Sequence, residues 1–178
     1  MTITSLMLEK FINIPKEIEV ITNQKITEIE SFKTIEKVPH LVIGKVLTRK
    51  DHPNSDHLNL TTVDVGGEIL DIVCGARNVD QGQTVVVAKV GAILPGNFEI
   101  KASKIRGEVS NGMICSLKEL GFSDKIIPDA FKEGIYYFDH DIQPGTKAED
   151  ALFLSDFSME LSLTPNRGDL LSVLGYAY

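Results

Sequence analysis

Short β-branched runs alternate with glycine- and proline-containing turns through the middle of this sequence. The runs are Leu41–Leu47, Asn59–Val65, Ile69–Cys74, Gln83–Val90 and Phe98–Ile105. Gly66 and Gly67 supply a tight hairpin turn between two of them. Five or more short strands joined in this way predict a small closed or partly closed β-barrel.

The segments on either side of this region have mixed patterns. In residues 1–38 we expect a helix capped by Ser5 and a strand over Ile26–Ile35. After the barrel we expect short elements at Ser116–Leu120 (a helical turn stopped by Gly121), Gly134–Phe138 (strand), Lys147–Leu152 (helical turn), Met159–Leu163 (strand) and Gly168–Tyr178 (helix). The last helical pattern has no C-cap, and we therefore expect the sequence to be part of a longer chain.

Composition limits the class of protein. A chain of 178 residues that is 43% hydrophobic can bury a core and form one or two domains. Its apolar runs are too short to span a bilayer, and the N-terminus lacks the pattern of a signal peptide. Without an export signal, Cys74 and Cys115 are expected to be reduced, buried thiols. These features predict a cytoplasmic location and no membrane partner.

The charge distribution argues against non-specific coating of nucleic acid. The net charge is -7, yet residues 45–118 hold nine basic and eight acidic residues, which leaves a balance of +1. The rest of the chain holds nine basic and seventeen acidic residues, a balance of -8. The middle of the chain can therefore carry a modest positive patch, but not a strongly basic groove.

The segment from His52 to His57 has two alternative interpretations. Its two histidines, with Asp56 and the cysteines, could belong to a metal-dependent enzyme, and Cys74 with a histidine could form a nucleophile and base. Pro53 and its polar neighbours favour a turn instead. We prefer the turn, which would join two barrel strands, and expect no catalytic or metal-binding residues.

Polar and basic residues follow the predicted barrel strands. Lys101, Lys104 and Arg106 alternate loosely along one strand, where they form either a solvated face or a small positive platform for phosphates. Ser110, Asn111 and Ser116 add hydrogen-bonding groups beside them, and Met113 adds a flexible apolar surface. This combination suits a nucleic acid of defined shape, whereas the scarcity of aromatic residues gives little support for base stacking.

A second polar site lies near the C-terminal end of the sequence. Asn166 and Arg167 follow Pro165 where an apolar strand ends. Arg167 could bind a carboxylate in a neighbouring domain or subunit, or an RNA phosphate. We favour the carboxylate, which makes both residues candidates for interdomain or intersubunit contacts.

Five motifs in fixed order carry a family resemblance. They are His52–Leu58, Cys74–Val79, Gly91–Gly96, Ser110–Ser116 and Thr164–Arg167. Together they resemble the N-terminal region of the β subunit of bacterial phenylalanine–tRNA ligase. Within it, residues 42–120 resemble its tRNA-binding domain of the OB-fold type. The implied fold is α+β, with a mainly-β OB-fold barrel (residues 39–149) inserted into a small discontinuous α+β domain (residues 1–38 plus 150–178).

The resemblance also implies function. The full enzyme attaches phenylalanine to tRNA(Phe) with ATP and Mg²⁺, as an α2β2 tetramer whose α subunit holds the aminoacylation site. This segment would be non-catalytic, would need no cofactor of its own, and would contact tRNA. The implied RNA-binding residues are Lys101, Lys104, Arg106, Ser110, Asn111, Met113, Ser116 and Asn78. The alternatives are a freestanding OB-fold tRNA-binding protein and a purely structural module that packs subunits without touching RNA.

Overall fold

The computed structural model describes residues 1–34, 38–154 and 156–178, which form two compact units. One unit comprises Met1–Lys37 and Phe153–Tyr178, and the other comprises Val38–Leu152. The strands and α-helices in chain order are β1 Thr2–Thr4, α1 Ser5–Leu8, α2 Ile18–Ile21, β2 Ile29–Thr34, β3 Leu41–Asp51, β4 Asn59–Asp64, β5 Ile69–Cys74, β6 Thr84–Lys89, β7 Ile93–Leu94, β8 Phe98–Glu99, β9 Ser103–Ile105, β10 Glu108–Ser110, β11 Gly112–Ile114, β12 Tyr137–Phe138, α3 Ala148–Ala151, β13 Phe157–Leu161 and α4 Val173–Ala177.

The larger unit is built on one antiparallel sheet. Its strand order is β11-β6-β3-β4-β5, and β12 also pairs with β6. The residues that lead into β11 close this order against β5: the Val73 backbone amide donates to Ser110 Oγ (3.1 Å), and the Asn111 backbone amide donates to the Asp71 carbonyl oxygen (2.8 Å). The predicted mainly-β, nearly closed barrel is therefore confirmed, and its five-stranded sheet is consistent with an OB-like fold. Its insertion into a second domain stays a prediction.

Strand β6 is buried on both faces, which explains its continuous run of apolar residues. Val85 and Val87 point into the barrel, among the side chains of Val46, Val63, Ile72 and Ile114. Val86 and Ala88 point to a second apolar layer on the other side, which contains Leu41, Ile43, Leu94, Ile100 and Cys115. A strand covered on both faces has no polar side, so its sequence does not alternate.

Glycine is required at position 44 of β3, where this strand of the barrel wall lies between β4 and β6. A Cβ atom on Gly44 would lie 2.6 Å from Val63 Cγ1 and 2.8 Å from Val87 Cγ2. Interiors are packed closely enough that such contacts force neighbours to move. Gly44 thus lets β4 and β6 close around β3.

The smaller unit is a three-stranded antiparallel sheet, in the order β1-β13-β2, with short helices. Its core contains Ile3, Leu8, Met159, Leu161 and Leu170, all at most 2% exposed. The hydroxyls of Thr22 and Tyr176 lie 2.5 Å apart within it. Across the described parts of both units, no helix has the length and apolar character needed to cross a membrane.

Several predicted elements of the smaller unit need correction. The cap of α1 is Thr4, whose Oγ1 accepts from the Met7 amide, whereas Ser5 is buried and its hydroxyl accepts from the Asp156 amide. The second strand begins at Ile29, because the chain is still in a π-helical turn at Ile26. Its predicted end, Ile35, lies outside the described residues.

The predicted C-terminal helix is two separate pieces. A 3₁₀ turn covers Gly168–Leu171, and α4 begins only at Val173. Between them Ser172 has extended backbone angles (φ -137°, ψ 156°), and its hydroxyl caps α4 by accepting from the Gly175 amide. The apolar spacing was helical, but a serine that satisfies a helix start also interrupts the helix before it.

The predicted strand Phe98–Ile105 is also wrong, because its two ends pair with different partners. Strand β8 pairs with β7, whereas β9 pairs with β10 in a separate hairpin. Lys101 therefore lies outside the strand that carries Lys104.

Two later elements form where they were predicted. Ser116–Leu120 forms a turn stopped by Gly121 at φ +87°, and α3 forms within the predicted Lys147–Leu152.

Candidate functional site

Two connections of the barrel dock on each other. The loop between β3 and β4 contains His52, whose ring is 4% exposed and whose Nδ1 accepts from the Asn54 amide (3.0 Å). His52 Nε2 lies 3.4 Å from the Ile105 carbonyl oxygen, so the hydrogen-bond network assigns the proton to Nε2. Arg106 Nη1 donates to the Asn54 carbonyl oxygen (3.2 Å). The loop is thereby held against the β9–β10 hairpin.

The His52–His57 segment thus forms the preferred turn, with the His52 ring used to hold it. Among the described residues, no group of three histidine, cysteine or acidic side chains is arranged to hold a metal ion. Both cysteines are buried and unpaired. Burial raises the pKa of the Cys74 thiol, and it raises the pKa of the Cys115 thiol to about 12. A thiolate nucleophile at neutral pH is disfavoured by these environments.

The turn of the β9–β10 hairpin displays Arg106. Ile105 pairs directly with Glu108, which leaves Arg106 and Gly107 as the two turn residues. Their φ values are 50° and 98°, as the tight hairpin turns that match strand twist require. Arg106 is exposed at this tip, beside the loop that it contacts.

A groove of about 450 Å³ runs beside this hairpin; we call it the lysine groove. Lys50 of β3 and Lys104 of β9 line it, together with Thr48, Thr62, Asp71 and Glu108. Within the described parts of the chain, neither lysine forms an ion pair. The two carboxylates balance the formal charge of the two lysines in the groove. Because neither lysine is ion-paired to a described residue, both ammonium groups are available for ligands.

Lys50 was not among the residues predicted from the sequence. The first barrel strand was expected to end at Leu47, but β3 continues to Asp51 because Arg49, Lys50 and Asp51 pair with β4. Thr48, Arg49, Lys50 and Asp51 are all polar, so no alternation of apolar and polar residues marked them as a continuation of the strand.

A second recess of about 590 Å³ opens on the other side of β10; we call it the cleft. Phe98, Ile100 and Met113 contribute apolar walls, and Glu99, Lys101, Ser103, Ser110, Ser116 and Glu119 also line it. Lys101 Nζ lies 2.8 Å from Glu99 Oε2, and this hydrogen bond raises the pKa of the lysine. Lys101 is therefore paired rather than free.

Two of the predicted RNA-binding residues have structural partners inside the barrel. Ser110 is 2% exposed; its hydroxyl accepts from the Val73 amide and donates to the Gly112 carbonyl oxygen (3.0 Å). Asn78 Nδ2 donates to the Ile135 carbonyl oxygen (2.9 Å), and its Oδ1 accepts from the Ile135 amide (3.0 Å). Both side chains hold neighbouring segments together.

The other predicted residues lie nearer to solvent. Ser116 forms a capping box with Glu119, whose Oε2 accepts from the Ser116 amide (2.7 Å) and hydroxyl (2.8 Å). Asn111 is half-buried beside β5, and its backbone amide, which donates to the Asp71 carbonyl oxygen, helps to close the barrel. The fold thus brings Lys101, Ser110, Met113 and Ser116 to the cleft and Lys104 to the lysine groove.

Asn166 and Arg167 belong to the smaller unit. Asn166 is exposed in a turn, and the Arg167 guanidinium binds the Asp169 carboxylate (2.7 Å) and the Ile26 carbonyl oxygen (2.8 Å). The carboxylate partner of Arg167 is therefore Asp169, two residues along the chain. The hydrogen bond from Arg167 lowers the pKa of the Asp169 carboxyl. A contact of either residue with another domain or subunit stays a prediction.

Known proteins share much of this sequence. Residues 41–147 match the family described as "Putative tRNA binding domain". Over 96% of its length the chain is 49% identical to the phenylalanine–tRNA ligase β subunit of Bacillus licheniformis, and over its whole length it is 46% identical to that of Staphylococcus epidermidis. The chain spans only 22% and 23% of these relatives.

Solved structures give a more distant likeness. A MetRS-related protein from Pyrococcus horikoshii is 18% identical, with a TM-score of 0.44, over 61% of this chain and 87% of that one. This likeness is too low to indicate function.

Proposed function

The chain belongs to the tRNA-binding domain family, and on this premise we propose that its barrel binds folded tRNA at the face formed by β4, β5 and the two docked connections. One observation carries the proposal: Lys50, Lys104 and Arg106 are gathered there without ion pairs to described residues. In OB folds, the second and third strands and the loops beside them are the usual binding face.

The cations would act on the RNA backbone. Lysine ammonium groups bind phosphates as point charges, and arginine adds a planar set of donors. Arg106 already donates to Asn54 through Nη1, so its position at the hairpin tip is fixed before RNA arrives. Such contacts position a folded RNA by its shape and carry little sequence information.

The charge balance sets the expected strength. Asp71 and Glu108 offset the two lysines of the groove, and the whole chain carries a net charge of -7. About three phosphate contacts predict an affinity that is weak and falls with a slope of roughly -3 against the logarithm of salt concentration. The barrel would therefore contribute to RNA binding rather than dominate it.

We place the chain within a larger ligase as part of the same proposal. Similarity to phenylalanine–tRNA ligase β subunits supports an origin in that subunit, with the α subunit and tRNA(Phe) as partners. The full enzyme would attach phenylalanine to tRNA(Phe) with ATP and Mg²⁺ in the cytoplasm. This segment would be its non-catalytic, tRNA-contacting part, with its barrel as an inserted OB-fold domain.

A second candidate function is architectural. The carboxylates in the lysine groove and the pairing of Lys101 with Glu99 favour a module that packs against other parts of the ligase without touching RNA. The two functions differ in one measurable respect, because only RNA binding depends on the charge of Lys50 and Lys104.

Charge reversal with a matched control separates the two functions. We expect Lys50→Glu with Lys104→Glu to weaken tRNA binding and to reduce the salt slope by about 2, because two phosphate contacts are lost. The control is Lys10→Glu with Lys25→Glu, which changes the net charge equally on exposed residues of the smaller unit. Equal loss in both variants would contradict a specific site, and unchanged binding in both would exclude the lysine groove as the RNA site. Absence of tRNA binding by the unaltered chain at low salt would favour the architectural function.

A further inference from the structure

The cleft differs chemically from the lysine groove beside it. Phosphate contacts suit the groove, but the cleft is largely apolar and holds two carboxylates, Glu99 and Glu119, against one lysine. We propose that the cleft takes an unpaired nucleobase of the bound tRNA, stacked on Phe98. This inference rests on the proposed function, and it adds a base-binding site to the phosphate contacts.

The size and walls of the cleft fit a flat aromatic ring. Its volume of about 590 Å³ falls within the range of roughly 300–1,000 Å³ that is typical of small-ligand pockets. Phe98 is 57% exposed at its edge, on the β7–β8 hairpin. Ile100 and Met113 form further apolar wall, and the methionine side chain can adapt to bases of different shape.

The charges of the cleft select a base over a phosphate. Glu99 neutralises Lys101, and Glu119 leaves the cleft with an excess of negative charge that repels phosphate groups. Carboxylates accept hydrogen bonds from amino groups, which adenine, guanine and cytosine carry and uracil lacks. The cleft should therefore prefer amino-bearing bases.

The groove and the cleft are neighbours, which allows one nucleic-acid strand to use both. Val73 of β5 lines the two recesses, and β10 lies between them, with Val109 on the groove and Ser110 on the cleft. A strand whose backbone is held by Lys104 would thus continue past β10 to the cleft that contains Phe98. Only an unpaired base can enter, because bases in an RNA helix are stacked and paired.

Replacing Phe98 tests the stacking contact. In the 178-residue chain, Phe98→Ala should weaken binding of tRNA by about 5- to 150-fold, the usual effect of losing one base–aromatic stack. The salt slope and the affinity for fully paired duplex RNA should not change. The matched control is Phe11→Ala in the smaller unit, where the ring is 50% exposed.

A fluorescent variant gives a second readout that does not depend on affinity. The chain contains no tryptophan, so Phe98→Trp introduces a single probe at the cleft. This variant should retain tRNA binding, and its emission should be quenched by single-stranded oligoadenylate more than by oligouridylate. The probe Phe11→Trp should show no quenching with either oligonucleotide.

The outcomes separate this inference from the function on which it rests. If Phe98→Ala and Phe11→Ala bind tRNA equally and Phe98→Trp is not quenched, the base site is excluded while phosphate binding stands. If the unaltered chain does not bind tRNA even at low salt, the proposed function fails and the base site fails with it. Loss of binding in Phe98→Ala together with quenching in Phe98→Trp would support both.

Discussion

Replacing Ser110 by alanine should weaken the contact between β5 and β10 that closes the barrel. The Ser110 hydroxyl accepts from the Val73 amide at 3.1 Å and donates to the Gly112 carbonyl oxygen at 3.0 Å. Ser110 is 2% exposed and Val73 is 8% exposed, so water cannot easily replace the lost partner. An unsatisfied buried amide costs about 1–3 kcal/mol, and we expect a loss of about 2 kcal/mol in the free energy of unfolding.

Two measurements test this expectation, one of global stability and one of local stability at Val73. Chemical denaturation of the variant should give a lower midpoint, and hydrogen exchange at the Val73 amide should accelerate by about 30-fold, the equivalent of 2 kcal/mol. Ser103→Ala is the matched control, because Ser103 pairs with Ser110 in register but is exposed. That control should change stability by no more than about 0.5 kcal/mol.

The same variant separates a structural serine from a ligand contact. Because both bonds of the Ser110 hydroxyl lie within the barrel, tRNA affinity measured on fully folded protein should be unchanged. Unaltered stability and Val73 exchange, together with a loss of tRNA affinity, would rule out the structural role and make Ser110 a direct RNA contact, as the sequence pattern predicted.

Two further predictions concern the barrel core. Gly44→Ala should lower the free energy of unfolding by about 1–3 kcal/mol in denaturant titration, because the added Cβ would press on Val63 and Val87. The control is Gly168→Ala, whose added Cβ would have no atom within 4 Å and should change the free energy of unfolding little. Equal effects of the two substitutions would contradict the close packing around Gly44. The Cys115 thiol, with a pKa raised from 9.0 to about 12, contributes stability that is fully present below pH 9 and lost as the pH rises towards 12, because the unfolded thiol ionises first. A thiol reagent at pH 8 should therefore label Cys115 only in unfolded protein, and rapid labelling of native protein would be the contrary result.

The strands that alternate or are fully apolar were predictable from the sequence, because burial on one or both faces leaves a local pattern. Strand β6 and the β4–β5 hairpin are examples, and the glycine pair between β4 and β5 marked their turn. The segment 98–105 was not predictable in the same way. Its alternation is real, but the choice of β7 or β10 as partner depends on distant residues.

The candidate site was only partly predictable for the same reason. Lys104 and Arg106 were identified as exposed cations, and they lie on the β9–β10 hairpin. Lys50 joined them only because β3 pairs with β4 beyond its apolar part. Ser110 was expected to face a ligand. Its burial could not be predicted, because it arises from barrel closure, which no local sequence pattern records.

A competition titration distinguishes a barrel that recognises folded tRNA from one that binds any RNA or none. Labelled tRNA would be titrated with the 178-residue chain at low and moderate salt, with unlabelled unstructured RNA of equal length as competitor. We expect binding that weakens with salt and is displaced poorly by the unstructured RNA. Absence of binding at low salt, or equal displacement by the unstructured competitor, would contradict it.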